Sequence, residues 1–207
     1  MEFKKGYFIT FEGADGCGKT TQIKLLNKYL IDIGAKTLLT LEPGGSDLGK
    51  SLREILLHYD KPVADRAETF LYLADRAQHV NNIIKPALDD KKIVLCDRYV
   101  DSTLAYQGYA RGGSIEELNT LNNIATGGLK SDLTIVFDIE SEIAQKRLGT
   151  TKDRLEKEGL EFHKKIRTGY LELAKLEQKR IKVINANRSI EEIFSDVKKI
   201  VGELLNI

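Results

Sequence analysis

Tryptophan is absent from this 207-residue chain, and methionine, cysteine and proline are scarce, at one, two and three residues. Two cysteines cannot build a disulfide framework, and Cys17 and Cys96 stand in Gly-rich or apolar surroundings without metal-ligand spacing, so reduced thiols in a cytosolic protein are expected. Few prolines and no low-complexity tract exclude a long disordered linker. No apolar run reaches the ~20 residues of a membrane-spanning helix, and "MEFKKGYFIT" has no apolar stretch after its lysines, so neither a signal peptide nor an anchor is expected. Excess charge is missing as well: 32 basic side chains face 31 acidic ones. Composition therefore gives no argument for a nucleic-acid or membrane partner, and any cation cluster must be local.

What is present is an alternation. Strand-length apolar runs occur at 7–11, 37–41, 93–97, 133–138 and 182–185, and the first four are nearly continuous in apolar residues, as expected of strands buried on both faces. Between and after them lie segments read as helices at 19–33, 47–57, 64–89, 115–126, 140–148, 156–179 and 189–205. The pattern predicts a doubly wound α/β fold, a five-stranded parallel sheet between two helix layers, in one domain spanning 1–207. Two stretches break the rhythm: "EPGGSD" at 42–47 and the charged "GTTKDRLEKEG" at 149–159. Each is a candidate mobile functional loop, the second a short lid, with a solvated surface loop as the alternative for the charged one.

The stretch "FEGADGCGKT" carries the strongest chemistry. Gly13 and Gly18-Lys19-Thr20 satisfy G-x-x-x-x-G-K-[ST] between a predicted strand and a predicted helix. Backbone N–H groups of Gly13, Ala14, Asp15, Gly16, Cys17, Gly18, Lys19, Thr20 and Thr21 are expected to cradle the phosphates of a nucleotide, where a Cβ would obstruct close approach. Lys19, expected to be exposed, would bridge β- and γ-phosphate oxygens, and the Thr20 hydroxyl would bind Mg²⁺. A dinucleotide-type G-x-G-x-x-G fails, because Thr21 stands where its third glycine belongs.

Asp97 ends an apolar strand beside Arg98, where a carboxylate can reach the metal shell; Asp138 ends another strand and competes for the role, and a helix cap is the plainer alternative for Asp97. Arg98 tips the choice to Asp97. The base-reading N-K-x-D of GTPases is missing: Asn27-Lys28 is followed by Tyr29-Leu30 inside a helix. Instead Arg53, Arg76, Arg98, Arg111, Arg147 and Arg154 fall at strand ends or early helix turns, which suits a second phosphorylated ligand beside the triphosphate.

Together "FEGADGCGKTT", "EPGG", "LYLADRAQHV", "DRYVDSTLAYQG" and "RLEKEGLEFHKKIRTGY" resemble the bacterial thymidylate kinases, P-loop nucleoside monophosphate kinases, from about Tyr7 to the last helix. The resemblance implies phosphorylation of dTMP to dTDP with ATP and Mg²⁺, a cytoplasmic location, and a homodimer formed through 64–89 and 115–126. It implies that Asp15 lies near the sugar 3′-hydroxyl and the metal, that Arg53 and Arg98 hold the monophosphate, and that Arg76 hydrogen-bonds thymine with Ser102, Thr103 and Gln107 completing the base pocket. Tyr106 would pack beneath the deoxyribose and disfavour a 2′-hydroxyl, and Tyr72 would stack on the base, unless it is simply core. Adenine would lie between Arg147 and 185–189. Two departures stand out: Leu41 precedes "EPGG" where relatives often carry Arg, and Gly16 stands where eukaryotic-type relatives put Arg in the phosphate loop. The lid would supply that missing cation as Arg154, with Lys152 and Arg147 as alternatives. His58, His79 and His163 receive no catalytic role. A nucleotide-dependent switch without a small acceptor, or a kinase for another nucleotide or a deoxynucleoside, are the competing functions.

Overall fold

The computed structural model describes residues 3–149 and 153–207. Its sheet is parallel throughout and contains β1 (Tyr7–Glu12), β2 (Thr37–Leu41), β3 (Ile93–Asp97), β4 (Leu133–Asp138) and β5 (Ile181–Asn185), in the spatial order β2-β3-β1-β4-β5. After β1 the chain moves one way to β2 and β3, then crosses to β4 and β5 on the other side. The carboxyl ends of β1 and β3 therefore border the crevice where a sheet of this kind binds ligands. Register places Phe11 opposite Asp97, and Leu41 opposite Asp97 from the other side, so the phosphate loop and the "DRY" and "EPGG" segments leave the sheet at one level.

Helices α1 (Lys19–Asp32), α2 (Asp47–His58), α3 (Asp65–His79), α4 (Lys85–Asp89), α5 (Val100–Thr103), α6 (Ile115–Thr126), α7 (Ser141–Arg147), α8 (Leu160–Leu176) and α9 (Ile190–Leu205) cover both faces. One core layer joins α1 and α9 to the sheet through Leu26, Leu30, Val197 and Val201. Another packs Ile166, Tyr170 and Leu173 of α8 against Leu104 and Tyr106. Burial of each such side chain contributes about 1.5–3 kcal/mol. Ser189 and Glu192 close a reciprocal capping box at the start of α9, which fixes where the chain turns after the loop following β5.

Four features depart from the sequence reading. β2 is an edge strand with Leu39 and Leu41 exposed, so its apolar run does not mark burial on both faces. The single helix expected over 64–89 is interrupted by a π-helical turn, Val80–Ile84, just before Pro86. Proline offers no N–H and crowds the carbonyl four residues back, here Asn82, and a widened turn accommodates both. A second π-helical segment, Leu104–Ala110, continues α5, where no helix was read because the stretch is short and carries Gly108. Residues 153–158 do not form a solvated loop. Asp153 Oδ1 accepts the N–H groups of Leu155 and Glu156 at 2.8 Å each, Leu155 is buried, and the Arg154 N–H donates to the Leu57 carbonyl at 3.1 Å. Lys152 lies outside the described residues.

Candidate active site

The phosphate loop runs from the end of β1 into α1, whose first amides no side chain caps. Gly13 and Gly16 have φ of 136° and 81°. A Cβ at Gly16 would stand 2.3 Å from the Ala144 carbonyl oxygen, and one at Gly13 would stand 2.7 Å from that of Phe137. Packing of the loop on its own scaffold thus demands these glycines, in addition to the ligand clearance anticipated from sequence, and it explains why position 16 has no room for an arginine. Lys19 is not exposed, as expected, but buried at 6%. Its Nζ donates to the carbonyls of Gly13 at 3.0 Å and Ala14 at 3.2 Å, which aims the ammonium across the mouth of the loop. Ala14 and Cys17 turn their side chains into the core, so any share they take in binding phosphate is through backbone.

A polar crevice over this loop is lined by Asp15, Gly16, Gly18, Lys19, Thr20, Thr21, Leu41, Glu42, Arg53, Asp97, Arg98 and Arg147. Thr20 Oγ1 donates to Asp97 Oδ2 at 3.4 Å, while Asp97 Oδ1 is buried without a partner. The rival acid, Asp138, is occupied by Arg167 at 2.6 and 3.0 Å. Arg147 Nη1 donates to the Ala186 carbonyl at 3.3 Å, which brings α7 to the loop after β5.

A second cavity opens beside the first. All nine residues assigned to the acceptor from sequence line it, namely Asp15, Arg53, Tyr72, Arg76, Arg98, Ser102, Thr103, Tyr106 and Gln107, joined by Glu42, Pro43, Leu57, Asp153 and Leu155. Asp15, Glu42, Arg53 and Arg98 face both cavities. Arg98 is held tightly at this junction. Its backbone is left-handed, φ 71°, and its guanidinium donates to Asp15 Oδ1 at 2.6 Å, Ser102 Oγ at 3.2 Å and Tyr170 Oη at 3.2 Å while lying over the Tyr106 ring. Tyr106 Oη donates to Asp15 Oδ2 at 3.3 Å. Burial works to raise the Asp15 carboxyl; Arg98 and Lys19 overcome it and hold the group well below the usual carboxylate range.

Behind the wall sits Glu12, which sequence reading passed over as a preface to the phosphate loop. It is fully buried and accepts from Tyr99 N at 2.7 Å, Ser102 Oγ at 2.6 Å and Tyr170 Oη at 3.0 Å. Burial, and then the Asp101 carboxylate, push it up to about 7. Arg76 is wholly buried and donates to Glu42 at 2.8 Å, Thr103 at 2.7 Å, Asn122 at 2.6 Å and the Tyr99 carbonyl at 2.9 Å. Of five guanidinium N–H groups, one is left for a ligand. His79 completes this network from Glu42 to Thr40 and is structural, as expected.

Arg111 and Arg154 do not join the crevice as sequence reading had them. Arg154 Nε donates to the Leu56 carbonyl at 3.0 Å and its Nη2 sits 2.7 Å from Glu68 Oε2; Arg111 pairs with Glu158 at 2.7 Å and approaches Glu68 at 3.5 Å. The buried Glu68 carboxylate attracts both, and no motif marked it. Cys17 and Cys96 are free and buried.

A family profile described as thymidylate kinase matches residues 11–197, most of the chain. The chain belongs to the thymidylate kinase family. Among its relatives, the thymidylate kinase of Maridesulfovibrio salexigens is 49% identical over 206 residues, covering 95% of each chain. That of a Sulfurihydrogenibium species is 51% identical over 189 residues, covering 91% of this chain and 93% of the relative. The crystal structure of thymidylate kinase from Ehrlichia chaffeensis superposes with a TM-score of 0.80 at 35% identity, over 95% of this chain and 98% of that one. The α/β fold, with its five-stranded parallel sheet, matches that thymidylate kinase structure, and the chain is accordingly a nucleoside monophosphate kinase.

Proposed function

We propose that the chain transfers the γ-phosphoryl group of ATP to dTMP, giving dTDP and ADP. One observation carries the reading: the phosphate crevice and the acceptor cavity meet at Arg53 and Arg98, which face both. The dTMP phosphate has its second pKa at about 6 and attacks as a dianion at pH 7, so no base is needed. Alignment and charge neutralisation remain, and cations with loop amides provide them. The unpartnered Asp97 Oδ1 beside Thr20 suits Mg²⁺, which would neutralise β- and γ-phosphate oxygens when bound. Both Asp15 oxygens already have partners, which favours a metal shell of Thr20 and Asp97 and leaves Asp15 to position Arg98 and Tyr106. Release of ADP coupled to added dTMP, above the rate with ATP alone, tests the assignment. A rate indifferent to dTMP would favour the nucleotide switch.

Tyr106 lies at the sugar end of this proposal. Its ring is fixed beneath Arg98 and against Phe162, so a ribose 2′-hydroxyl would meet carbon and lose its water without a partner, at about 1–3 kcal/mol. Tyr106→Ala is expected to narrow the ratio of catalytic efficiencies between dTMP and its ribose analogue. An unchanged ratio removes Tyr106 from the role.

For the lid, the proposal assigns the cation of the transition state to Arg154 and an adenine-side contact to Arg147, which rests on the loop following β5. Reaching the phosphoryl group requires Arg154 to leave Glu68, so its effect falls on the chemical step. Arg154→Ala is expected to lower turnover about a hundredfold, about 2.7 kcal/mol, at nearly constant Michaelis constants; Arg154→Lys recovers part, since an ammonium lacks the planar fork. Arg147→Ala is expected to raise the Michaelis constant for ATP. Collapse of turnover in Arg147→Ala, with Arg154→Ala within about threefold of the parent, would reverse the two roles.

The same reading carries a cytoplasmic location and a homodimer. Phe70 on α3 and Ile124 on α6 are 57% and 71% exposed, which supports pairing through the helices the resemblance implied. No described helix is long and apolar enough to cross a membrane.

A further inference from the structure

Glu68 has none of the features that marked the other site residues, yet its two oxygens are used differently. Oε1 accepts from Gln107 Nε2 at 2.8 Å; Oε2 faces the guanidiniums of Arg154 at 2.7 Å and Arg111 at 3.5 Å. The side chain is completely buried in α3, behind the acceptor cavity that Gln107 lines. A carboxylate held between two guanidiniums can only accept, so the amide group turned toward it must be the NH₂. That settles the other end: Gln107 Oε1 is the group presented on the cavity side.

We infer that Glu68 is a specificity-determining positioning residue, which locks the Gln107 amide so that an acceptor oxygen, never a donor, meets the Watson–Crick edge of the incoming pyrimidine. The inference rests on the reading of the chain as a dTMP kinase. The ligand chemistry follows from donor and acceptor counting. Thymine and uracil offer N3–H to an acceptor and O4 to a donor, and Arg76 retains one N–H for the latter. Cytosine reverses both, with a lone pair at N3 and an amino group at C4. A locked Gln107 therefore leaves cytosine with two unmatched polar contacts in a buried site, and discrimination built on unpaired polar groups is steep. An amide free to rotate would satisfy either base, because NH₂ and C=O exchange places by a half-turn.

The lock is electrostatic in origin. Glu68 is held in place by Arg111, which is itself tied to Glu158 and lies over the Phe162 ring, so the carboxylate keeps an arginine when Arg154 departs. Glu68→Gln keeps the shape and can either accept from or donate to Gln107, which unlocks the amide without deleting it.

The test compares dTMP and dCMP as acceptors in four proteins: the parent, Glu68→Gln, Gln107→Leu and the double variant. Glu68→Gln is expected to lower the dTMP-to-dCMP ratio of kcat/KM at least about tenfold, chiefly through a higher KM for dTMP with kcat less affected. In the Gln107→Leu background the same substitution is expected to move the ratio less than about twofold, because no amide remains to orient. Should Glu68→Gln fail to fold, Glu68→Asp keeps the charge and withdraws it by one methylene from Nε2, and the same comparison applies to it. A folded Glu68 variant that retains the parental ratio, or one that shifts the ratio equally with and without Gln107, overturns the inference alone. A parent protein that phosphorylates no dTMP overturns the functional reading and this inference with it.

Discussion

Replacing Lys19 by alanine is expected to abolish phosphoryl transfer while the chain keeps its fold. Although Lys19 is buried, its Nζ bonds mainly to the carbonyls of Gly13 and Ala14, with Cys17 Sγ at 3.8 Å and Asp15 Oδ1 at 3.9 Å more distant, at the mouth of a crevice that water can enter once the ammonium is gone. Those carbonyls can then be hydrated, so the stability cost stays near that of ordinary exchanged hydrogen bonds, about 1 kcal/mol. Catalysis has no such substitute. A fixed donor at the charge developing between β- and γ-phosphates is worth roughly 3–4 kcal/mol, or a factor of hundreds to a thousand in turnover. Thermal melting beside single-turnover ADP formation separates the two effects. Turnover near the parental rate would remove the phosphate loop from the mechanism.

Arg98→Ala is expected to be at least as damaging, by about a thousandfold in kcat/KM. Its guanidinium sits where the two cavities join and is the main counter-charge of Asp15. Losing it removes the proposed phosphate clamp and also lets burial push the Asp15 carboxyl up, loosening the Tyr106 hydroxyl that Asp15 anchors. Backbone strain provides an internal control. Arg98 holds φ at 71°, where an L residue pays of order 1 kcal/mol and glycine does not. Arg98→Gly should therefore melt no lower than Arg98→Ala on that account, yet be equally inactive. A glycine variant that regains activity would mean that the backbone turn, rather than the guanidinium, matters at this position.

Elements with strong local patterns were legible in sequence. Five apolar runs became the five strands, and the phosphate loop, Asp97 and Arg98 stand at the strand ends that their order suggested. What escaped was set by distant partners. Glu12 meets Tyr170 across 158 residues, and Glu68 meets Gln107 across 39. Neither has a motif; each acquires its chemistry only when folding buries a carboxylate against hydroxyls, amides or guanidiniums. Arg154 illustrates the converse. Its position in a charged loop suggested a free cation, whereas Leu56, Leu57 and Glu68, nearly a hundred residues earlier, supply its partners. The burial of Lys19 was hidden for a similar reason, since its acceptors are carbonyls that any sequence would possess.

The widened turn over Leu104–Ala110 limits how this chain can diverge. A π-helical turn holds more residues than an α-helical one, and within it Tyr106 and Gln107, neighbours in sequence, both line the same cavity. Exchanging one side chain for another leaves the count alone. Deleting a single residue lets the stretch tighten to α-helical spacing, about 100° between successive side chains, which redirects the Tyr106 ring or the Gln107 amide while the flanking helix keeps its register. Along this stretch, descendants of the chain can drift in composition but not in length.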